Sequence, residues 1–332
     1  MMENSKKKIL LTGLTGFIGR HVAGKIYESN DIFALIRPQT ERSRFSEFEN
    51  KINFIEIDLS NTDLLSEYLE NNSFDYILHI GALRGGRKFS QDSFIKTNFD
   101  ATKLLMENAI KNNSRFIFCS SVGVYGAIPN RVPADLDTEY KRDNLYHTTK
   151  IRCEEMILQA IAEKNLQACI VRPAITYGEG DYGFPYTLMK LVDKKLLFLP
   201  IEDIFIHLTN VNLITDVFCK LLQENFPSGK IFNVADKEKV SFHKLADFIY
   251  SELKGEGKKY PKYRRIMKKF FEFHINLFKI LKNELWVSRF ELISENWYFD
   301  VQPVYETLNP TPTNTIPDFK IVTDWYKTKG KS

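Results

Sequence analysis

Short apolar runs alternate with longer stretches of helical period along the first half of the chain. Ile9–Thr12, Ile32–Ile36, Asn53–Ile57, Tyr76–Ile80, Phe116–Cys119 and Ala168–Val171 read as buried strands. Between them, Phe17–Ser29, Asn61–Glu70, Phe94–Asn112 and Tyr146–Glu163 carry apolar residues at helical spacing. Strands separated by helices of that length predict a parallel sheet covered on both faces, a doubly wound α/β arrangement. After Gly178 the rhythm loosens. Tyr186–Lys195, Asn212–Glu224 and Ser241–Leu253 read as helices, the last capped by Ser241. Phe205–Leu208 and Lys230–Val234 read as strands, Gly255–Lys259 as a loop, Asn309–Pro317 as irregular chain and Asp318–Thr328 as a terminal helix. The expected division is 1–178, carrying the parallel sheet, and 179–332, a smaller α+β lobe with some segments returning to that sheet.

The first strand runs into Thr12-Gly13-Leu14-Thr15-Gly16-Phe17-Ile18-Gly19, with a helix starting at Phe17. Gly13 can turn tightly out of the strand, Gly16 can admit a pyrophosphate against the backbone, and Gly19 lets the helix pack on the strand. The helix N-terminus then offers free N–H groups and a positive dipole end. This pattern points to a dinucleotide site, with 1–178 as the dinucleotide-binding domain and 179–332 as the substrate lobe.

At 332 residues, with 43% hydrophobic and 27% charged residues, the composition is that of an ordinary globular enzyme. A net charge of +4 with no basic stripe interleaved with aromatics argues against a nucleic-acid partner. The four cysteines, Cys119, Cys153, Cys169 and Cys219, form no CxxC pair, and Cys119 and Cys169, inside apolar strand-like runs, read as core thiols in a reducing cytoplasm. No metal site is expected. Met1–Lys8 is not expected to act as a signal peptide, and no apolar run approaches the ~20 residues of a membrane span.

Tyr146 and Lys150 are four apart at a helix start, so phenol and ammonium share one face. A phenol with an ordinary pKa near ~10 is a poor acid–base at neutral pH. A neighbouring cation favours its phenolate form. Ser121, at the end of the fifth strand, can supply a second hydrogen bond to a substrate oxygen.

These segments, in this order, resemble the extended short-chain dehydrogenase/reductase superfamily, the group of NAD(P)-dependent epimerases and dehydratases. The likeness rests on Thr12–Gly19, Asp58-Leu59, Asn98, Ser120–Gly126, Tyr146-His147-Thr148-Thr149-Lys150 and Arg172–Gly178, and continues through Phe205–Leu208 and Ile231–Val234. It implies a Rossmann domain and an NAD(P)-dependent oxidoreductase or epimerase. Tyr146 would be the acid–base residue, Lys150 its electrostatic partner, Ser121 the hydrogen-bonding serine and Asn98 the supporting asparagine. Gly13, Thr15, Gly16, Phe17, Ile18, Gly19, Asp58, Leu59, Gly81, Lys150 and Pro173 would hold the cofactor, with Asp58 at the adenine. The plainer readings are a turn residue for Asp58 and a surface helix residue for Asn98. Homodimers through the long helices near Phe94 and Tyr146 are common in the superfamily.

The second strand ends Ala34-Leu35-Ile36-Arg37, without the acid that reads the ribose 2′-OH of NAD. Arg37, with Arg42 and Arg44 nearby, suits a 2′-phosphate, so NADP is favoured over NAD. Val122-Gly123 stand where the family's dehydratases carry Asp-Glu, which disfavours sugar dehydration. Hydride transfer at a hydroxyl or keto carbon of a nucleotide-activated sugar is the leading expectation. Against it, Asp203 stands where nucleotide-sugar members often have arginine, Asn210 where many have aspartate, and Glu179 where they have proline. Arg84, Arg87 and Lys88 are candidate substrate-loop residues, with a solvated loop as the plainer reading. The segment 262–286 interleaves Lys and Arg with apolar residues as a basic amphipathic helix. It reads either as a peripheral membrane contact or lipid-like substrate lid, or as a helix packed on the lobe. The alternatives are therefore a ketoreductase or dehydrogenase of an apolar, sterol- or lipid-like alcohol, and a non-catalytic NAD(P)-binding regulator.

Overall fold

The computed structural model describes residues 6–84, 89–223 and 225–328. The chain begins β1 (Lys7–Thr12), α1 (Phe17–Ile26), β2 (Asn30–Ile36), β3 (Asn53–Glu56), α2 (Thr62–Glu70) and β4 (Tyr76–His79). A helical stretch follows, made of α3 (Gln91–Phe94), a π-helical segment Ile95–Asp100 and α4 (Ala101–Asn112), then β5 (Arg115–Cys119), α5 (Leu145–Lys164) and β6 (Ala168–Pro173). The apolar strands pair side by side, all parallel, in one seven-stranded sheet of order β11-β6-β5-β4-β1-β2-β3. Its outermost strand, β11 (Ile231–Val234), comes from the second half of the chain, pairing Val234 with Pro173. Two buried clusters, one on each face of the sheet, account for the near-continuous apolar runs: Ile9 and Leu11 face one, Leu10 faces the other.

The helix expected over Phe94–Asn112 is interrupted by the π-helical turn. The carbonyl of Asn98 is taken by side chains, accepting Thr102 Oγ1 at 2.5 Å and Cys153 Sγ at 3.2 Å, and the backbone ladder loosens there.

Beyond β6 lie β7 (Ile175–Tyr177), α6 (Phe184–Asp193), β8 (Leu199–Pro200), β9 (Phe205–Ile206), β10 (Leu208–Asn210) and α7 (Val211–Leu221). After β11 come β12 (Val240–Ser241), α8 (Phe242–Lys254), β13 (Arg265–Ile266), α9 (Lys268–Ile280), α10 (Glu284–Ser294), α11 (Gln302–Leu308), α12 (Thr315–Asp318) and α13 (Lys320–Thr328). Ser241 caps α8 as expected, its hydroxyl accepting Lys244 N. The strand expected over Phe205–Leu208 is split at His207. There the chain leaves its pairing with β12 for β7, and His207 N donates to Trp297 O instead. The irregular tail contains a short helix, α12, whose Thr315 hydroxyl donates to the buried Asp236 carboxylate.

Residues 262–286 are not one helix. Lys282 adopts φ 51° and Asn283 caps a new helix at Trp286 N, folding the segment into the α9–α10 hairpin. Phe278 stacks on Trp286 and Phe290 across the turn, which a single straight helix could not do.

Candidate active site

The carboxyl ends of β1 and β4 form the floor of the site. Gly13 has φ +81°, and a Cβ there would lie 2.6 Å from Gly81 N. A Cβ on Gly19 would lie 2.1 Å from Gly13 O, so α1 starts in direct contact with the turn. Gly16 caps α1 without any side-chain hydrogen bond, and the first turn holds no acid. The N–H groups of that turn therefore face a cradle with no side chain to fill it, a fit for a pyrophosphate. Phe17 closes one end, its ring 3.0 Å from where a Cβ on Gly178 would stand. Leu59 borders Gly81 on the other side, 3.3 Å from its Cβ position.

A buried relay fixes this floor. Gly81 N donates to Thr12 Oγ1 (2.9 Å), Thr12 meets His79 Nδ1 (2.7 Å), and His79 Nε2 meets Thr102 Oγ1 (2.8 Å). Thr102 gives its proton to Asn98 O. It must therefore accept from His79 Nε2–H, which leaves Nδ1 to accept from Thr12. Complete burial, reinforced by the Lys150 cation, pushes His79 down to about 3, so the ring is neutral. Sequence reading missed this relay because its members lie 67 and 23 residues apart.

Asn98, carried on the π turn, clasps the loop after β4. Its Oδ1 accepts Leu83 N (2.7 Å), and its Nδ2 donates to Leu83 O and Thr149 Oγ1. Thr149 in turn donates to Tyr146 O (2.9 Å), so Asn98 ties the loop to α5. Lys150 is 2% exposed. Its Nζ donates to Cys119 O (2.6 Å) and lies 6.0 Å from the Tyr146 ring centroid. Two residues beyond Cys119, Ser121 caps a short 3-10 turn, its Oγ accepting Gly123 N (3.0 Å). The backbone thus brings Tyr146, Lys150, Ser121 and Asn98 to one end of the sheet. His147, between Tyr146 and Lys150, joins this end of the sheet. Its Nδ1 holds Asp143 (2.5 Å), and its Nε2 stands 2.5 Å from where a Cβ on Gly123 would project. The i,i+4 spacing of Asp143 and His147 is the signal that could have drawn attention to them.

The remaining predicted residues are less concentrated. Asp58 uses one carboxylate oxygen in a turn, accepting Ser60 N (2.8 Å) and Ser60 Oγ (2.7 Å). Arg37 is exposed at the end of β2, whereas Arg44 donates to Thr15 O (3.0 Å) and so lies against the glycine turn. The side chain of Arg42, and all of Arg87 and Lys88, fall outside the described residues. Arg84 is exposed, near enough to Asp181 to oppose the burial that raises that carboxyl. Asp203 supports the N-terminus of α8, accepting from the hydroxyl of its cap Ser241 and from His243 N, and Asn210 caps α7 (Asn212 N, 2.8 Å). Two of the three departures from the nucleotide-sugar pattern thus serve helix N-termini. Among the described residues no cluster of three or more His, Cys, Asp or Glu side chains is arranged to hold a metal ion.

The sequence profile of the NAD dependent epimerase/dehydratase family matches residues 9–198, from β1 through the candidate site. The chain belongs to that family. The NAD dependence of the family agrees with the glycine cradle. A UDP-N-acetyl-alpha-D-glucosaminuronate decarboxylase of Bacillus cytotoxicus is 28% identical over 262 residues, 74% of this chain and 80% of that one. A decarboxylating sterol-4-alpha-carboxylate 3-dehydrogenase of Candida albicans is 28% identical over 189 residues, 54% of this chain, which spans only about half (53%) of that protein. Among solved structures, the UDP-glucuronic acid 4-epimerase of Bacillus cereus in complex with NAD superposes with TM-score 0.72 at 18% identity, over 96% of this chain and 98% of that one. That likeness is one of fold. No helix among the described residues is long and apolar enough to cross a membrane.

Proposed function

We propose that this family member is an NAD(P)-dependent oxidoreductase or epimerase acting at a hydroxyl or keto carbon of a nucleotide-activated sugar. The observation that carries the reading is the buried Lys150 ammonium beside Tyr146, one of its N–H groups fixed on Cys119 O. When bound, the nicotinamide supplies or accepts the hydride. The chain's own residues handle the proton. Tyr146 gives a proton to, or takes one from, the substrate oxygen, and the Lys150 cation favours the phenolate. Lys150 keeps two further donors for ribose hydroxyls. Ser121, one of its lone pairs occupied by Gly123 N–H, turns its O–H toward the same substrate oxygen. Asn98 acts by position, holding the β4 loop against α5. Gly13, Thr15, Gly16, Phe17, Ile18, Gly19, Gly81, Leu59 and Pro173 form the cofactor wall, and Arg84 meets the substrate.

The cofactor we favour is NADP. Support comes from the missing acid after β2, where the exposed Arg37 stands instead, and from Arg44, which lies against the glycine turn through Thr15 O. Residues 1–178 act as the dinucleotide domain and 179–332 as the substrate lobe. Four free cysteines fit a cytoplasmic setting. A homodimer through α4 and α5, and peripheral membrane contact through 262–286, are the associations this reading carries.

Calorimetric titration with NADP and NAD, followed by UDP-sugars, tests the proposal. Tighter NADP binding that is lost in R37A/R44A is the expected result, and tighter NAD binding overturns the 2′-phosphate assignment. Tyr146→Phe should keep dinucleotide binding and lose at least about a hundredfold in kcat. An unchanged kcat would remove Tyr146 from the proton transfer, and dinucleotide binding with no turnover of UDP-sugar or apolar alcohol by the wild type would leave the regulator reading in its place. The second reading, an apolar alcohol, is favoured by the Candida relative and by the exposed apolar hairpin. Turnover of such an alcohol without UDP-sugar binding would select it.

A further inference from the structure

The α9–α10 hairpin presents an apolar face to solvent. Phe271 (0% exposed) and Ile275 (7%) form the buried side of α9, Phe271 meeting Phe290 of α10 edge to face. On the opposite side Phe273 is 63% exposed, Ile280 79%, Leu281 61% and Met267 66%, with Trp286 at 41% on α10. At about 100° per residue the outward apolar positions of α9 from Met267 to Leu281 fill an arc of about 140°. A helix that is apolar on its outer side has a partner outside the chain.

Charge decides which partner. Residues 258–289 contain ten lysines and arginines and two acids, Glu272 and Glu284. That is a surplus of eight positive charges in a chain whose total is +4. Lys268 and Lys279 are tied to Glu295 and Glu291, but among the described residues no ion pair takes up Lys262, Lys269 or Lys282. A second copy docked face to face would set this surplus against itself, because a two-fold interface pairs identical patches. An acidic surface with an apolar interior meets both features.

We infer that the α9–α10 hairpin is a membrane-interface element, seating the arc from Met267 to Leu281 and Trp286 among the acyl-chain boundary of an anionic bilayer, with its lysines on the phosphates. This deepens the peripheral contact proposed above and does not depend on which alcohol is turned over. It has a geometric consequence. The inner side of the same hairpin, through Phe278, Lys279 and Val287, walls an open cleft of about 880 Å³ bordered on its other side by Lys141, Asp143 and Asn144. Asp143 holds His147, the neighbour of Tyr146. The lipid surface and a cleft bordering the candidate site therefore occupy two sides of one two-helix layer.

Trp286 supplies the readout. The other two tryptophans, Trp297 and Trp325, are 1% and 6% exposed. Titration of the full chain with phosphatidylcholine vesicles, with and without phosphatidylserine, is the experiment. A blue shift in tryptophan emission and co-sedimentation are expected on anionic vesicles at low salt, both weakened by added salt. F273E/I280E should abolish both effects. K269E/K282E should weaken binding at least about thirtyfold. All four side chains lie outside the dinucleotide site, so each variant should keep the wild-type melting temperature and dinucleotide affinity. No binding to anionic vesicles overturns the inference, as does equal binding to neutral ones. So does a concentration-dependent dimer dissolved by F273E/I280E, which gives the face to a second copy. The vesicle result stands whether or not any UDP-sugar is bound, so the two proposals fail separately.

Discussion

Gly19 and Gly24 lie on one helix and have opposite requirements. A methyl group on Gly19 would sit 2.1 Å from Gly13 O, a backbone atom that cannot step aside without opening the phosphate cradle. A methyl group on Gly24 would meet only the Phe48 ring, at 3.9 Å, an ordinary contact. Gly19→Ala is therefore expected to weaken dinucleotide binding at least about a hundredfold and to cost about 1–3 kcal/mol of stability by overpacking. Gly24→Ala is expected to stabilise by about 0.5–1 kcal/mol, because alanine gives up less backbone entropy in a helix. Urea unfolding and cofactor titration of the two variants check the pair. Equal effects would mean that α1 does not bear on the turn as closely as the geometry requires.

At the scale of the element, α5 carries the candidate chemistry and is itself held by charge. Glu154, one turn beyond Lys150, is fully buried and receives Arg172 from β6 through Nε (2.9 Å) and a second guanidinium nitrogen (2.5 Å). Tyr125 accepts from the same guanidinium, and Tyr140 bonds both Arg172 and Glu154. Removing one partner leaves an uncompensated buried charge. Glu154→Gln is expected to cost about 3–5 kcal/mol, and E154Q/R172M to recover part of that loss. A thermal-unfolding double-mutant cycle measures it, and an additive cycle would refute the coupling. Such networks mark the limit of sequence reading. The glycine turn, the strands and the Tyr146–Lys150 pair were legible because their physics is local: period, turn chemistry and i,i+4 spacing. Arg172 was visible only as part of a motif, because its partners come from three separate segments. The break at Lys282 and Asn283 was missed for the opposite reason. The amphipathic period continues across it, and only the aromatic stacking of Phe278 on Trp286 shows that the chain folds back.

Across the whole molecule, two buried histidines stand at strand ends, one in the sheet and one in the lobe. His79 ends β4, and His207 stands between β9 and β10, accepting Phe299 N at its Nδ1 (3.2 Å). Burial pushes His79 down to about 3 and His207 down to about 4. In the unfolded chain both return to an ordinary value near ~6.5. The unfolded state therefore binds more protons than the folded state between these limits. The stability contributed by the neutral rings is complete above about pH 6.5 and is lost as the pH falls toward about 4 for His207 and about 3 for His79. Each ring contributes a slope approaching about 1.4 kcal/mol per pH unit, which amounts to about 2 kcal/mol apiece between pH 8 and pH 5. His79→Gln lowers stability at pH 8 by disturbing the Thr12–Thr102 relay, but it removes one titrating group. Its stability difference between pH 8 and pH 5, from urea midpoints at constant ionic strength, should be smaller than that of the wild type by about 2 kcal/mol. An identical pH dependence in the two proteins would mean that the His79 ring can take up a proton in place, and the tautomer fixed by Thr102 and Thr12 would have to be abandoned.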